Sequence, residues 1–93
     1  MADIDASKIA ERVRIFVFEK FPLARKQELQ NGDNLLDSGV VDSLGILDLV
    51  AFLESEFGLQ VSDDELLPEN FQTVDRIAAL VAKKQLSKSG VHL

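Results

Sequence analysis

The run Asp42-Ser43-Leu44-Gly45-Ile46-Leu47-Asp48-Leu49-Val50-Ala51-Phe52-Leu53-Glu54-Ser55-Glu56-Phe57-Gly58 decides the fold class. It is the most apolar stretch of the chain, and its apolar positions recur at helical rather than two-residue spacing. Asp42 is a natural N-cap and Gly58 a natural terminator, so a helix is expected over about residues 43 to 57. Stepping about 100° per residue from Ser43 separates two apolar faces. Ile46, Leu49, Val50, Leu53 and Phe57 fall together and should face a core. Leu44, Leu47 and Ala51 fall on another side, next to Ser43 and flanked by Asp48, Glu54 and Ser55. That second stripe is either a docking face or the part of the helix covered by the preceding loop.

Upstream, Ile9, Val13, Phe16, Val17 and Phe21 repeat at i, i+3, i+4, which predicts a helix over about residues 6 to 20. Asp3, Asp5 or Ser7 can cap it, and Pro22 stops it, because the residue before a proline avoids helical geometry. Ile15 and Phe18 lie off the main stripe. Core is the favoured place for them, either over the long loop or, failing that, against a partner. Residues 22 to 41 hold Pro22, Asn31-Gly32-Asp33-Asn34 and Ser38-Gly39, all turn formers, and read as one long mobile connection pinned by Leu23, Leu35, Leu36, Val40 and Val41.

Downstream, Ser62-Asp63-Asp64-Glu65 has the look of a cap and acidic first turn of a brief helix interrupted by Pro68. Thr73 caps a last helix, with Asp75 in its first turn, Lys83 and Lys84 at its end, and a buried stripe of Val74, Ile77, Ala78, Leu80 and Val81. The pattern is lost after Lys84, so residues 86–93 are expected to be a disordered tail and residues 1–85 the domain. No two-residue alternation of useful length occurs, and no sheet is expected. The fold class is all-α, a small antiparallel four-helix bundle of three main helices and one short one, with a long first loop.

The chain has 93 residues, 46% of them hydrophobic, and a formal charge of −6. That composition fits one small globular domain. An acidic domain repels phosphate backbones and anionic lipid, so nucleic acid and a stable membrane association are poor expectations. The charge serves solubility alone, or also attracts proteins with basic patches. There is no cysteine, which removes disulfides, zinc-thiolate sites and any thiol chemistry of the chain's own. No signal peptide or membrane-spanning run is visible, and the cytoplasm is the simplest location.

No catalytic set assembles from these residues. A serine nucleophile needs a base within reach, and the one histidine, His92, lies in the expected tail. Val41-Asp42-Ser43-Leu44-Gly45 lacks the first glycine of a nucleophile elbow, and an aspartate that caps a helix is engaged with backbone amides. Asp63-Asp64-Glu65 lacks the spacing of a calcium loop, so no metal site is expected. What is left is a serine at a helix start, beside an apolar stripe. It is either a plain cap-region residue or a hydroxyl that another enzyme reaches and modifies, where an added phosphate would sit at the positive end of the helix.

On Gly39-Val40-Val41-Asp42-Ser43-Leu44, followed at matching spacing by Leu49-Val50-Ala51-Phe52-Leu53-Glu54-Ser55-Glu56-Phe57, the sequence resembles the acyl carrier protein family. Ile9 through Leu23 and Thr73-Val74 extend the resemblance over about residues 8 to 82. It implies that Ser43 carries a 4′-phosphopantetheine arm donated by coenzyme A, with Asp42 as motif and cap residue. It also implies a monomer without catalytic activity of its own, served by a phosphopantetheinyl transferase, an acyl- or aminoacyl-loading ligase or synthase, and downstream transferases. Leu44, Leu47, Asp48, Ala51 and Glu54 would form the partner face. Fatty-acid carriers usually have an acid after the Asp-Ser-Leu motif and a shorter segment before the last helix. Gly45 and the Val61–Thr73 segment therefore look more like D-alanyl, other aminoacyl or specialised discrete carriers. The rival from another class is an unmodified adaptor bundle that binds a partner helix through the same stripe.

Overall fold

Four α-helices account for most of the chain: α1 (Ala6–Lys20), α2 (Pro22–Lys26), α3 (Ser43–Phe57) and α4 (Val74–Gly90), with 3-10 turns at Asp63–Glu65 and Pro68–Phe71. They are taken from a computed structural model, which describes residues 6–90. No strand occurs among the described residues, and the architecture is the expected all-α bundle. Asp3 and Asp5, two of the candidate caps of α1, lie outside the described residues, as does His92.

The periodic stripes become the core. Ile9, Val13 and Val17 of α1, Leu49 and Leu53 of α3, and Val74, Ile77, Ala78, Leu80 and Val81 of α4 are buried together, with Phe16, Phe21, Ile46, Val50 and Phe57 packed partly against them. An aromatic seam joins α1 to α3. Phe16 stacks on Phe52 with ring centroids 4.2 Å apart, while Phe21 meets Phe16 and Phe57 meets Phe52 edge-on. Arg12 of α1 and Glu56 of α3 close the same seam with an ion pair. Gly58 ends α3 in the left-handed region, at φ +62°, and its amide returns to the Glu54 carbonyl. That conformation is open to glycine at little cost.

The expected short helix lies elsewhere. Residues 22–26 are helical, with Pro22 in the first turn and Phe21 extended before it at φ −118°, ψ 99°. Proline opens a helix as readily as it ends one, and five residues are too few to show a period. The segment after Ser62 forms only 3-10 turns, since the proline at 68 interrupts any longer ladder. Its buried anchor is Phe71, fully enclosed and absent from the periodic stripes.

The first connection is held to the rest of the fold by buried side chains and hydrogen bonds. Leu29, Leu35, Val40 and Val41 are buried, whereas Leu23 is exposed and Leu36 only half-buried. The Leu35 amide donates to the Gln72 carbonyl at 2.7 Å, the Asp75 amide to Asn31 at 3.1 Å, and the Val41 amide back to Leu35 at 3.0 Å. The Asn34 side-chain oxygen accepts from the amides of Leu36 and Asp37. These contacts tie the connection to the start of α4. Ile15 is also placed differently from its favoured reading: it is 52% exposed, and Phe18 is half-buried under the Arg14 guanidinium. At the other end, α4 continues to Gly90 through the first part of the expected tail. Nothing from Gln85 to Ser89 breaks a helix, so local propensity carries it on. Residues 91–93 lie outside the described residues.

Lys84 reaches back to the 62–73 segment, with Nζ 2.6 Å from Glu65 Oε1. The Ser62 amide and hydroxyl donate to the same oxygen. The Lys84 hydrogen bond, then the Ser62 amide, hold the Glu65 carboxyl below its usual value of 4.5. Because the folded value is the lower one, this contribution to stability is complete above about 4.5 and is lost as pH falls through the folded value. Glu65→Gln should therefore be less stable than wild type at pH 7 and indistinguishable from it in strong acid. Urea midpoints at the two pH values test this, and an equal gap at both counts against it. In the core, Leu53→Ala should cost about 3 kcal/mol by urea denaturation, with the helical signal intact below the transition.

Candidate functional site

The junction at residue 42 is built by a cap. Asp42 is extended, and its Oδ1 accepts the Gly45 amide at 2.8 Å while its carbonyl accepts from Ile46 at 3.0 Å. Asp42 thus performs the role read from the sequence. It also spends one carboxylate oxygen on the backbone.

Ser43 is the first residue of α3 and is exposed. Among the described residues its hydroxyl has no hydrogen-bond partner, and the amides of Ser43 and Leu44 have no acceptor. No acid stands in the first turn of α3. The Ser43 oxygen therefore lies at the positive end of a 15-residue helix dipole, where the Asp42 carboxylate engages the Gly45 amide and leaves those of Ser43 and Leu44 open. An anion covalently attached there would be favoured, which is the environment a phosphodiester needs. No base is within the site, and no group of residues able to hold a metal occurs among the described residues.

The second apolar stripe is an open face. Leu44 is 73% and Leu47 58% exposed, with Ala51 and Asp48 exposed between and beside them. The covering-loop alternative fails, because the loop turns inward at Val40 and Val41 and leaves these side chains bare. Glu54 differs from the other four. It is half-buried, and its Oε2 accepts the Val61 amide at 2.9 Å, anchoring the link after α3. Its carboxylate is part of the scaffold as well as of the face.

Gly45 has a local steric reason that sequence reasoning missed. It is buried, and a Cβ placed on it would lie 2.9 Å from Phe21 Cε1, 3.0 Å from Val41 Cγ1 and 3.3 Å from Asp42 Oδ1. The contact pairs positions 24 residues apart, which no local period reveals. Glycine at this position therefore has a packing reason, its close fit against Phe21.

Charge is divided along the chain. Of the sixteen acids, only Asp3, Asp5, Glu11 and Glu19 lie outside residues 27–75, which leaves twelve inside, and all ten lysines and arginines lie outside. The segment holding the connection, α3 and the 3-10 turns therefore carries −12, and the remainder carries +6. The Arg12–Glu56 and Lys84–Glu65 pairs both join one part to the other.

The profile of the phosphopantetheine attachment site matches residues 23–81, which contain the α3 junction and its supports. The chain belongs to the phosphopantetheine-binding carrier proteins. It is 32% identical over 80 residues to the acyl carrier protein of Buchnera aphidicola subsp. Acyrthosiphon pisum, covering 86% of this chain and 96% of the relative. It is 35% identical over 77 residues to the acyl carrier protein of Thermotoga maritima, covering 83% and 91%. With the D-alanyl carrier protein of Streptococcus pyogenes it shares 33% identity over 75 residues, covering 81% and 94%. The family's prosthetic group is covalent 4′-phosphopantetheine, and an exposed, unpartnered hydroxyl at a positive helix end fits it. Acyl and D-alanyl carriers stand at similar identity, so both belong to the neighbourhood of this chain.

Three substitutions separate cap from scaffold. Asp42→Ala should lose about 1 kcal/mol of stability through the uncapped Gly45 amide. Glu54→Gln should fall short of that loss, because an amide oxygen still accepts from Val61, whereas Glu54→Ala should exceed Glu54→Gln. Thermal or urea unfolding of the three variants checks the order.

Proposed function

We propose that the chain is a discrete carrier protein whose attachment point is the Ser43 hydroxyl. The observation that carries this reading is an exposed serine oxygen without a partner, at the start of α3, in a chain of the carrier family. When bound, the arm supplies a terminal thiol that holds acyl or aminoacyl groups as thioesters, which suits a chain with no cysteine. The chain's own residues prepare the attachment. Asp42 fixes the first turn, the α3 N-terminus favours the phosphodiester, and Leu44, Leu47 and Ala51 offer an apolar surface with Asp48 beside it. The proton of Ser43 must leave to a base on the transferase, since Asp42 is engaged with Gly45. The chain performs no turnover of its own on this reading. It receives its arm from a phosphopantetheinyl transferase and its cargo from a ligase or synthase.

A specialised role, with an acyl or an aminoacyl cargo, is the narrower proposal. The aminoacyl form is supported by the likeness to the D-alanyl carrier protein at 33% identity. Incubation with coenzyme A and a broad-specificity phosphopantetheinyl transferase, read by intact mass, tests the attachment. Wild type should gain one phosphopantetheine, and Ser43→Ala none. An unmodified wild type, or a Ser43→Ala chain modified equally well, would return the protein to the adaptor reading. Loading the modified chain with acyl or with D-alanyl ligases then divides the two cargoes.

Asp48 should matter through charge rather than fold. Asp48→Asn should slow modification several-fold at low salt and much less at about 0.5 M, where the screening length is under ~5 Å. A salt-independent gap would remove the electrostatic role.

A further inference from the structure

Phe21 and Gly45 meet where the chain must present Ser43. Phe21 is the single residue between α1 and α2, held extended by the proline that follows and tied by its amide to the Val17 carbonyl at 2.9 Å. Its ring is half-buried and packs edge-on against Phe16, which in turn stacks on Phe52 of α3. The ring edge then ends on the first turn of α3, so close to Gly45 that even a methyl group there would sit 2.9 Å from Cε1. The same methyl would press on Val41 and on the Asp42 oxygen that caps Gly45. Four features of the first turn therefore converge on one point: the ring, the buried Val41 side chain, the cap and the absence of a side chain at 45.

We infer that Phe21 is a positioning residue for modification at Ser43, acting through its close fit to Gly45. The inference rests on the carrier reading of Ser43. The ring buttresses the inner side of the α3 first turn while Ser43 and Leu44 face outward from it. Displacing ring or cap rotates the turn and moves the hydroxyl relative to the surface at Leu44, Leu47 and Asp48 that a transferase grips. This pair also explains the sequence at position 45 without appeal to charge. Alanine is the better helix former, yet here it should disturb the site because the Phe21 ring and Val41 would have to shift to admit it.

The test is a size-exchange series under the transferase assay, with kcat and the KM for coenzyme A measured separately. Gly45→Ala, checked for helical content by circular dichroism, should lose at least five-fold in kcat with the KM for coenzyme A within two-fold of wild type. Phe21→Leu combined with Gly45→Ala makes room for the methyl and should return kcat to within two-fold of wild type. Gly45→Ala modified at the wild-type rate overturns the inference. So does a folded double variant that stays as slow as Gly45→Ala, because size matching would then not be the cause. If Gly45→Ala does not fold, Phe21→Ala decides: it leaves Gly45 intact and removes the buttress, so an unchanged kcat overturns the proposal and a five-fold loss upholds it. If wild type itself is not modified, the carrier reading fails, and that outcome is distinct from a modified wild type with indifferent variants.

Discussion

The backbone of Leu35 is held from two directions, its amide by Gln72 and its carbonyl by Val41. The first bond fastens the middle of the long connection to the turn before α4. The second brings the chain entering α3 alongside that fastening. Between them they fix where Val41 can lie, and Val41 is one wall of the space in which Gly45 sits. The side chain of Leu35 is fully buried beneath these bonds, so neither amide nor carbonyl has water as an alternative. A polar connection becomes rigid here through a few buried leucines and valines and three crossing hydrogen bonds, with no regular element of its own between α2 and α3. Ser43 inherits its place from that arrangement.

The helices were legible because their information is local. Leu49 and Leu53 stand four apart and are fully buried, as the wheel requires, and Leu44 and Leu47 fall on the opposite side and remain bare. Asp42, Thr73 and Gly58 act as the boundaries their chemistry suggests: Thr73 Oγ1 accepts the Arg76 amide, and Gly58 closes α3. The exposed serine at the start of α3 was legible for the same reason, since a cap, a helix start and an apolar stripe lie within ten residues, while its reading as an attachment point came from the family resemblance.

What escaped notice depends on distance along the chain. The Phe21–Gly45 fit joins parts that no window of helical length contains together, and Phe71 is buried outside every helical stripe. Gly45 is an example. Taken alone it is a missing charge in a helix, and beside a phenyl ring it is also a matter of room. The five-residue α2 escaped for a different reason, because Pro22 reads as an end when only the helix before it is in view. Ile15 escaped because a residue slightly off a stripe can lie on either side of the boundary, and packing with α3 left it outside.

The division of charge has a consequence for how the molecule meets others. A partner at a distance larger than the domain responds to −6, the net figure. A partner within a few ångströms of α3 meets a segment of −12 whose compensating bases lie on α1, α2 and α4. Such a body has a dipole moment, and a dipole turns in an external field before it touches the source. Beside a cationic surface the 27–75 segment is attracted while the remainder, at +6, is repelled. Encounter is then biased in orientation as well as in frequency, toward the segment that holds Ser43.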